Sequence, residues 1–537
     1  MMEKQHPIPP LVKTILSSRG YKTERSMVDF IYSGVSSLSD PFLIPNMKKA
    51  CATLEKAISK KEKIFVYGDG DADGVCGSFL LLNLLCLVGA DFSFRLTHRL
   101  DDDYEIEEML INEIAKEKYS LLISVDCGIS SYQALKTAGD NGIKAIVLDH
   151  HIGETSKLHP SHIYVNPWME KEWKNGTENL SGAGIAYKFV EGMGILLPGL
   201  KEGKAYEFIE LVALSIIADS LPLTGENRIF VKEGLRRMSY TKNKGLAALI
   251  ESQNLTPPFY LKNISRRLVP RLNSPGRLGN PDIALNLLME KDGFGINEAV
   301  KKVEQMDRER YQMVVKAIKT IKKEALKNGF IASEDISPGI CGIIASRLSG
   351  QYCKPFMVGY RSDDFLRGSI RAPAGYNLHK KLKPLNKYML SLGGHKEAMG
   401  FKCTTEYIPQ VKKIWKDIKW EAEKPNDYYD CILDISDLNP SIIEEIDANL
   451  EPFGKGNPAP VFLCEDVYLK RVSGRGEENN EGILWLKKNG AIYEAVFPSE
   501  QDNKPVNGKM NILYTPSVRK QNNLYRIILK IKKFYSF

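Results

Sequence analysis

No stretch of this 537-residue chain reaches the ~18 consecutive apolar residues that a membrane helix needs. The longest candidate, 79–90 (FLLLNLLCLVGA), is short and interrupted by Asn83, so it reads as a buried core helix. The N-terminus, MMEKQHPIPP, has no signal-peptide pattern. The nine cysteines are odd in number, scattered, and never in a C-x-x-C pair. That argues against disulfides and structural zinc and for a reducing cytoplasm. There is no internal repeat and no low-complexity tract. Strong charge imbalance is also lacking: 74 Lys+Arg against 66 Asp+Glu leave +8. Most of that excess lies in residues 501–537, where eight Lys/Arg face only Asp502. A local basic surface of this kind suits a polyanion.

The length points to several domains. Residues 1–60 look helical. From 61 on, short apolar runs alternate with helical stretches. Runs 63–67, 91–98, 121–126, 145–151 and 163–167 read as strands, and 130–142 as a crossover helix. Apolar strands separated by helices predict a parallel sheet covered on both faces. Residues 295–329 form one long charged helical pattern without proline, a connector to a second α/β unit over about 330–425. A Gly/Pro-rich stretch, 450–462, then opens a segment of short strands (482–488, 491–497, 524–531) that predicts a small β-barrel. The expected division is 1–60 helical, 61–240 catalytic, 241–329 connecting, 330–425 a smaller α/β domain and 426–537 an OB-fold barrel.

The stretch VYGDGDADGVCGS (66–78) spaces Asp69, Asp71 and Asp73 two apart before a glycine, like half of a calcium loop. An EF-hand needs an acid at its twelfth position. Counting from Asp69 that position is Leu80, and a strand precedes the loop where an EF-hand has a helix. The calcium reading fails. Other strands end similarly: Asp126 follows LLISV, and Asp149-His150-His151 follows AIVL. Alone, each acid is more often a cap or turn residue. In an open parallel sheet, however, strand ends converge on one ligand-binding crevice. A carboxylate-rich set with imidazole and no thiolate suits manganese or magnesium better than zinc. Crowded carboxylates call for cations, and two divalent ions held this way are the usual apparatus for in-line attack on phosphorus.

These residues carry a family likeness. GDGDADG (68–74), VDCGIS (125–130), DHH (149–151) and ALSIIADSLPL (213–223) match in order the four motifs of the DHH phosphoesterase superfamily. PRLNSPGRLGNPDIAL (270–285), GICGIIASRL (339–348), RGSIRAP (367–373), GGHKEAMGF (393–401) and EPFGKGNPAPVF (451–462) narrow the resemblance to the RecJ family of bacterial single-strand-specific exonucleases. The resemblance runs from about residue 10 to 537. It implies a DHH domain, a DHH-associated domain and a terminal OB-fold. It implies 5′→3′ hydrolysis of single-stranded DNA to nucleoside 5′-monophosphates with two Mn2+ or Mg2+ ions, in DNA repair and recombination. Single-strand-binding protein and a RecQ-type helicase are the implied partners.

The resemblance marks Asp71, Asp73, Asp126, His150, His151 and Asp219 as catalytic and metal-holding, with Asp69 and Asp149 beside them; Asp149 can instead orient a histidine. Arg99, Arg271, Asn273, Ser369, Arg371 and His395 are the implied substrate binders, since guanidinium with a hydroxyl suits a terminal phosphate. Tyr514, Tyr525, Phe534 and Tyr535 are candidates for base stacking. There are departures. Gly70 stands where an aromatic is usual, which would loosen the loop; Ser220-Leu221 reads as a packing change; Ser337 stands where a histidine often does. Two other readings compete: a DHH phosphodiesterase for short oligoribonucleotides or signalling dinucleotides, and a catalytically dead nucleic-acid-binding scaffold. The basic terminal segment favours a polymer substrate over the first, and the complete set of motif carboxylates and histidines disfavours the second.

Overall fold

The computed structural model describes residues 7–98, 105–169, 176–197, 199–200, 203, 205–422, 428–475, 481–498, 508–521 and 524–536. In chain order, helices α1 (Pro10–Ser18), α2 (Glu24–Tyr32) and α3 (Met47–Ser59) lead into β1 (Ile64–Gly68). There follow α4 (Ala72–Leu87), β2 (Phe92–Leu96), α5 (Glu108–Lys116), β3 (Leu121–Val125), α6 (Tyr132–Asp140), β4 (Lys144–Leu148) and β5 (Ile163–Val165). These five strands form a parallel sheet in the order β2-β1-β3-β4-β5.

Period-2 alternation explains its burial. Leu122, Ala145 and Val147 face a core shared with Ile111, Ile114, Leu135 and Ala138 of α5 and α6. Ile123, Val125, Ile146 and Leu148 point the other way and are also buried, on the side taken by α4 and α7 (Gly182–Leu196). Both faces are covered, as an all-parallel sheet requires.

Helices α8 (Ile209–Ala218) and α9 (Gly225–Arg237) pack as a pair against this layer. Helices α10 (Lys244–Ser252), α11 (Leu261–Arg267), α12 (Val269–Arg277) and α13 (Asp282–Met289) then lead to α14 (Gly293–Thr320). The expected helix over 295–329 is in fact two. α14 stops at Thr320, Ile321 is extended (φ −66°, ψ 123°), and α15 (Lys323–Asn328) restarts. No Gly or Pro signals the break. Ile321 is instead drawn against the core of the following domain, beside Ile331 and Ile340.

That domain holds β6 (Phe330–Ser333), α16 (Pro338–Tyr352), β7 (Phe356–Arg361), β8 (Phe365–Arg371), α17 (Leu378–Lys381), β9 (Ser391–His395), β10 (Ala398–Thr404) and α18 (Ile408–Asp417). Its sheet order is β6-β7-β8-β10-β9.

The last part comprises β11 (Cys431–Ile432), α19 (Pro440–Leu450), β12 (Phe462–Arg475), β13 (Glu481–Lys488), β14 (Ala491–Pro498), β15 (Lys509–Gln521) and β16 (Leu524–Ser536). β12-β13-β14-β16-β15 closes on itself through a β12–β15 pairing, giving a five-stranded barrel. The α/β architecture with a terminal OB-type barrel is as expected.

Two compact units emerge: 39–221 with 225–425, and 1–38 with 222–224 and 426–537. The first 60 residues therefore do not act as one segment. Val12, Ile15 and Leu16 of α1 and Met27 and Ile31 of α2 complete the barrel's core beside Leu450, Phe462 and Ile512. Arg19 seals this with a buried ion pair to Asp430 (2.7 Å). α3 belongs instead to the other unit, against α7. Amphipathic helices must bury their apolar stripe somewhere, and the sequence does not say where.

Candidate metal centre and phosphate pocket

The tips of β1, β3 and β4 bring the sequence-predicted acids together. Asp71 is the N-cap of α4, its Oδ1 accepting from the amides of Asp73 (2.9 Å) and Gly74 (3.2 Å). The capping role usual for such an acid is thus real, and it coexists with a place in the cluster: Asp69, Asp71 and Asp126 present oxygens within 4.8 Å of one another. Asp126, just past β3, holds φ +63°, a conformation uncommon outside glycine. His150 lies past β4, its Nε2 3.2 Å from Asp126 Oδ1, 3.7 Å from Asp73 Oδ2 and 3.8 Å from Asp219 Oδ2. Asp219 caps the C-terminal end of α8. A negative charge there is electrostatically unfavourable for the helix, so the helix itself does not account for it.

The surrounding contacts sort the acids by what they still offer. Asp69 Oδ1 accepts from Thr97 Oγ1 and the Gly70 amide, both at 2.6 Å. Asp149 is buried, with Oδ2 taking the Ile129 amide (2.9 Å) and Oδ1 facing His151 Nδ1 (2.8 Å). That contact fixes the His151 ring, and His151 forms a further possible metal-holding group with Asp126 and His150. Asp73 is fully buried and accepts from the Gly182 amide (2.9 Å), the Ala183 amide (2.7 Å) and Ser215 Oγ (2.7 Å). The first two open α7, whose N-terminus favours an anion.

Electrostatics follow from this crowding. Burial, then the neighbouring acids Asp73 and Asp71, hold the Asp126 carboxyl well above the usual range. Asp219 is raised for the same reasons. Asp73 is raised too, chiefly by burial, against the pull of His150. For Asp149 burial is the largest influence and is outweighed by His151 and His150, so its pKa falls below the usual range. His151 rises to about 9: burial opposes the charge, but Asp149 prevails. His150 is raised likewise by Asp73, Asp219 and Asp149.

A divalent cation fits this arrangement. Asp126 Oδ1 and His150 Nε2 are buried without a hydrogen-bond partner among the described residues, a costly state unless something else binds them. The donors around them are oxygens and imidazole nitrogens; the thiols of Cys76 and Cys127 nearby are held protonated by burial.

The loop of Asp69–Asp73 is clamped rather than loose. A side chain at Gly70 would place its Cβ 2.6 Å from the Thr97 carbonyl oxygen and 2.9 Å from Pro281 Cβ. A Cβ on Gly276 would meet the Gly70 carbonyl oxygen at 2.0 Å. The space beside Gly70 is therefore taken by the Thr97 carbonyl and the Pro281 ring. Asn273, on α12, donates nothing to this contact: its Oδ1 accepts the Ala72 amide (2.8 Å). The expected packing change at Ser220 is no packing site either; Ser220 is exposed with φ +51° in the turn that ends α8.

Among the other expected substrate binders, Arg99 lies outside the described residues. Arg271 Nη1 donates to the Arg267 carbonyl (2.6 Å) and lies 3.6 Å from Asp307. Ser369, Arg371 and His395 gather in the second sheet. Arg371 and His395 both pair with Ala398, while Ser369 pairs with Gly400, itself opposite Gly393. Directly opposed residues share a face, so a row of glycines flanks Ser369. A Cβ on Gly342 of α16 would lie 3.1 Å from Arg371 Nη2 and 3.2 Å from Ser369 Oγ; its absence keeps the space before both open. In the barrel, Tyr514 and Phe534 are core, whereas Tyr525 is exposed.

Sequence reasoning missed Thr97, Ser181, Ser215 and Asn166. Asn166 donates from Nδ2 to the His151 carbonyl (2.8 Å). The available hint was the NP turn after β5 and the Ser-Gly-Ala-Gly start of α7.

Family models match three regions: the DHH family N-terminal domain over 63–216, the DHHA1 domain over 311–421 and the RecJ OB domain over 429–533. The single-stranded-DNA-specific exonuclease RecJ of Bacillus subtilis is 29% identical over 99% of this chain and 68% of its own length. That of Thermus thermophilus is 30% identical over 78% of this chain and 61% of its own. The chain thus spans about two thirds of the length of these curated relatives. The crystal structure of T. thermophilus RecJ with Mn2+ matches 98% of this chain and 76% of its own with a TM-score of 0.81 at 24% identity. A manganese-bound exonuclease RecJ structure matches with a TM-score of 0.59 at 30% identity, over 70% of this chain and 94% of its own. With its acidic crevice, its second sheet and its barrel in the same order as these relatives, the chain belongs to the RecJ family of DHH phosphoesterases.

Proposed function

We propose that this protein is a two-metal-ion 5′→3′ exonuclease that hydrolyses single-stranded DNA to nucleoside 5′-monophosphates, in DNA repair and recombination. The observation that carries this is the meeting of Asp71, Asp73, Asp126, His150 and Asp219 around Asp126 Oδ1 and His150 Nε2, two buried atoms without a hydrogen bond among the described residues. These five, with His151, are the residues that would hold Mn2+ or Mg2+. Bound there, such ions activate water and neutralise charge on the attacked phosphate. The chain's own residues do the rest. Asp149 fixes the His151 ring. Thr97 steadies Asp69. Arg371 and Ser369 bind the terminal 5′-phosphate, with Arg271, Asn273, Arg99 and His395 along the strand.

Residues 61–240 carry the chemistry, 330–425 the end-binding pocket and 426–537 the barrel that tracks the backbone by charge and stacking. Single-strand-binding protein and a RecQ-type helicase would supply the substrate, in the cytoplasm. No helix among the described residues is long and apolar enough to cross a membrane. The test uses 5′-labelled single-stranded and duplex DNA with Mn2+, Mg2+ or EDTA. Mononucleotides released from single strands, only with metal, are expected. Activity confined to dinucleotides, or undiminished in EDTA, refutes the proposal.

A further inference from the structure

Asp73 is held by the protein on both of its carboxylate oxygens. A carboxylate offers about four lone-pair positions. On Asp73, Oδ1 takes the Ala183 amide and the Ser215 hydroxyl, and Oδ2 takes the Gly182 amide. One lone pair remains, on Oδ2, the oxygen that lies 3.7 Å from His150 Nε2. Asp73, His150 and Asp219 form one of the possible metal-holding groups.

Ser215 is fully buried on α8. Its hydroxyl lies within hydrogen-bond reach of both Asp73 Oδ1 and Ser181 Oγ. A hydroxyl carries one proton and an ionised carboxylate none. The single Ser215 proton thus points between Asp73 Oδ1 and Ser181 Oγ, and the ionised carboxylate is the stronger acceptor of the two. Ser181 in turn accepts the Gly184 amide (3.0 Å) as N-cap of α7. Ser215 thus links Asp73, in the first turn of α4, to Ser181, the N-cap of α7.

We propose that Ser215 is a positioning residue for the metal centre: with the Ala183 amide, its hydroxyl saturates Asp73 Oδ1 and so presents the carboxylate to a cation through a single Oδ2 lone pair. This rests on the two-metal reading above. Without the hydroxyl, one amide still holds each oxygen, but Oδ1 regains a lone pair that competes with Oδ2 for the cation. Losing such an outer contact typically costs 10–100-fold in metal affinity.

The experiment is Mn2+ titration of the full chain by calorimetry, with free Mn2+ followed by its paramagnetic resonance signal. Ser215→Ala is compared with Ser78→Ala, a hydroxyl on α4 that is equally buried and has no hydrogen-bond partner among the described residues. Ser215→Ala is expected to raise the Mn2+ Kd by about 10–100-fold with a metal-free melting temperature close to that of Ser78→Ala; Ser78→Ala should keep the wild-type Kd. Ser215→Cys, closer in volume but a weak donor, should reproduce the loss if the alanine variant folds poorly. A wild-type Kd in Ser215→Ala or Ser215→Cys overturns the assignment of Ser215 alone. A wild-type protein that takes up no Mn2+ overturns the metal reading beneath it.

Discussion

Replacing Asp126 by asparagine should stabilise the metal-free protein while disabling it. Asp126 is buried, its Oδ1 has no hydrogen-bond partner among the described residues, and its ionisation is opposed by burial and by Asp73 and Asp71. Asparagine keeps the shape and tolerates the φ of +63° better than most residues. His150 retains Asp73 and Asp219 at 3.7 and 3.8 Å. Asparagine's amide stays buried, but it carries no charge, and the buried charge without a hydrogen bond is worth about 1–3 kcal/mol. For a large domain 1 kcal/mol moves Tm by roughly 2 °C, so a rise of about 2–6 °C in EDTA is expected. Mn2+ at about 100 times its Kd adds roughly 2.7 kcal/mol to a protein that binds it only when folded. The wild type should gain this and the variant should not, so the order of melting temperatures inverts between EDTA and Mn2+. Scanning calorimetry in both buffers, beside the nuclease assay, reads all three effects. Activity should fall by more than about 100-fold, the upper end for losing an outer-shell contact. A variant that melts at or below the wild type in EDTA would show that these carboxylates do not repel one another, and the argument for cations would go with it.

Three further outcomes are expected. Gly70→Ala should cost about 1–3 kcal/mol by overpacking, since its Cβ meets the Thr97 carbonyl and Pro281; an unchanged urea midpoint would mean that the clamp yields freely. Arg371→Ala should reduce preference for a 5′-phosphorylated over a 5′-hydroxyl end by about 10–100-fold, the worth of a charge-assisted hydrogen bond; equal discrimination in competition assays would reject that role. Burial raises Asp447 to about 6 and, with Asp447's charge, Glu451 to about 7. The fold binds these protons more tightly than the unfolded chain does, so the stabilisation is complete below the ordinary carboxyl range and is lost as pH rises through about 6 to 7. The melting temperature of the barrel unit should therefore fall between pH 5 and 8, and less steeply in Glu451→Gln; parallel slopes would contradict this.

The sequence by itself determined the catalytic layer. Short apolar strands such as IFVYG and LLISV, interrupted by helical stretches, admit little but a covered parallel sheet, and the acids at their ends then share an edge whatever the details. It also marked the barrel and the family, because turn glycines, strand lengths and motif order are properties of contiguous residues. What only the tertiary structure decided depends on partners far apart in the chain. The α1–α2 stripe could have packed on any apolar face, and it is the barrel that takes it. The tolerance for Gly70 comes from Thr97 and Pro281, and the break at Ile321 from a core built by residues 330–358. Asp69, Asp71 and Asp73 look alike in the sequence. They differ in the fold because Thr97, the first turn of α4, and α7 with Ser215 each claim different lone pairs, and hydrogen-bond capacity is spent in space rather than along the chain.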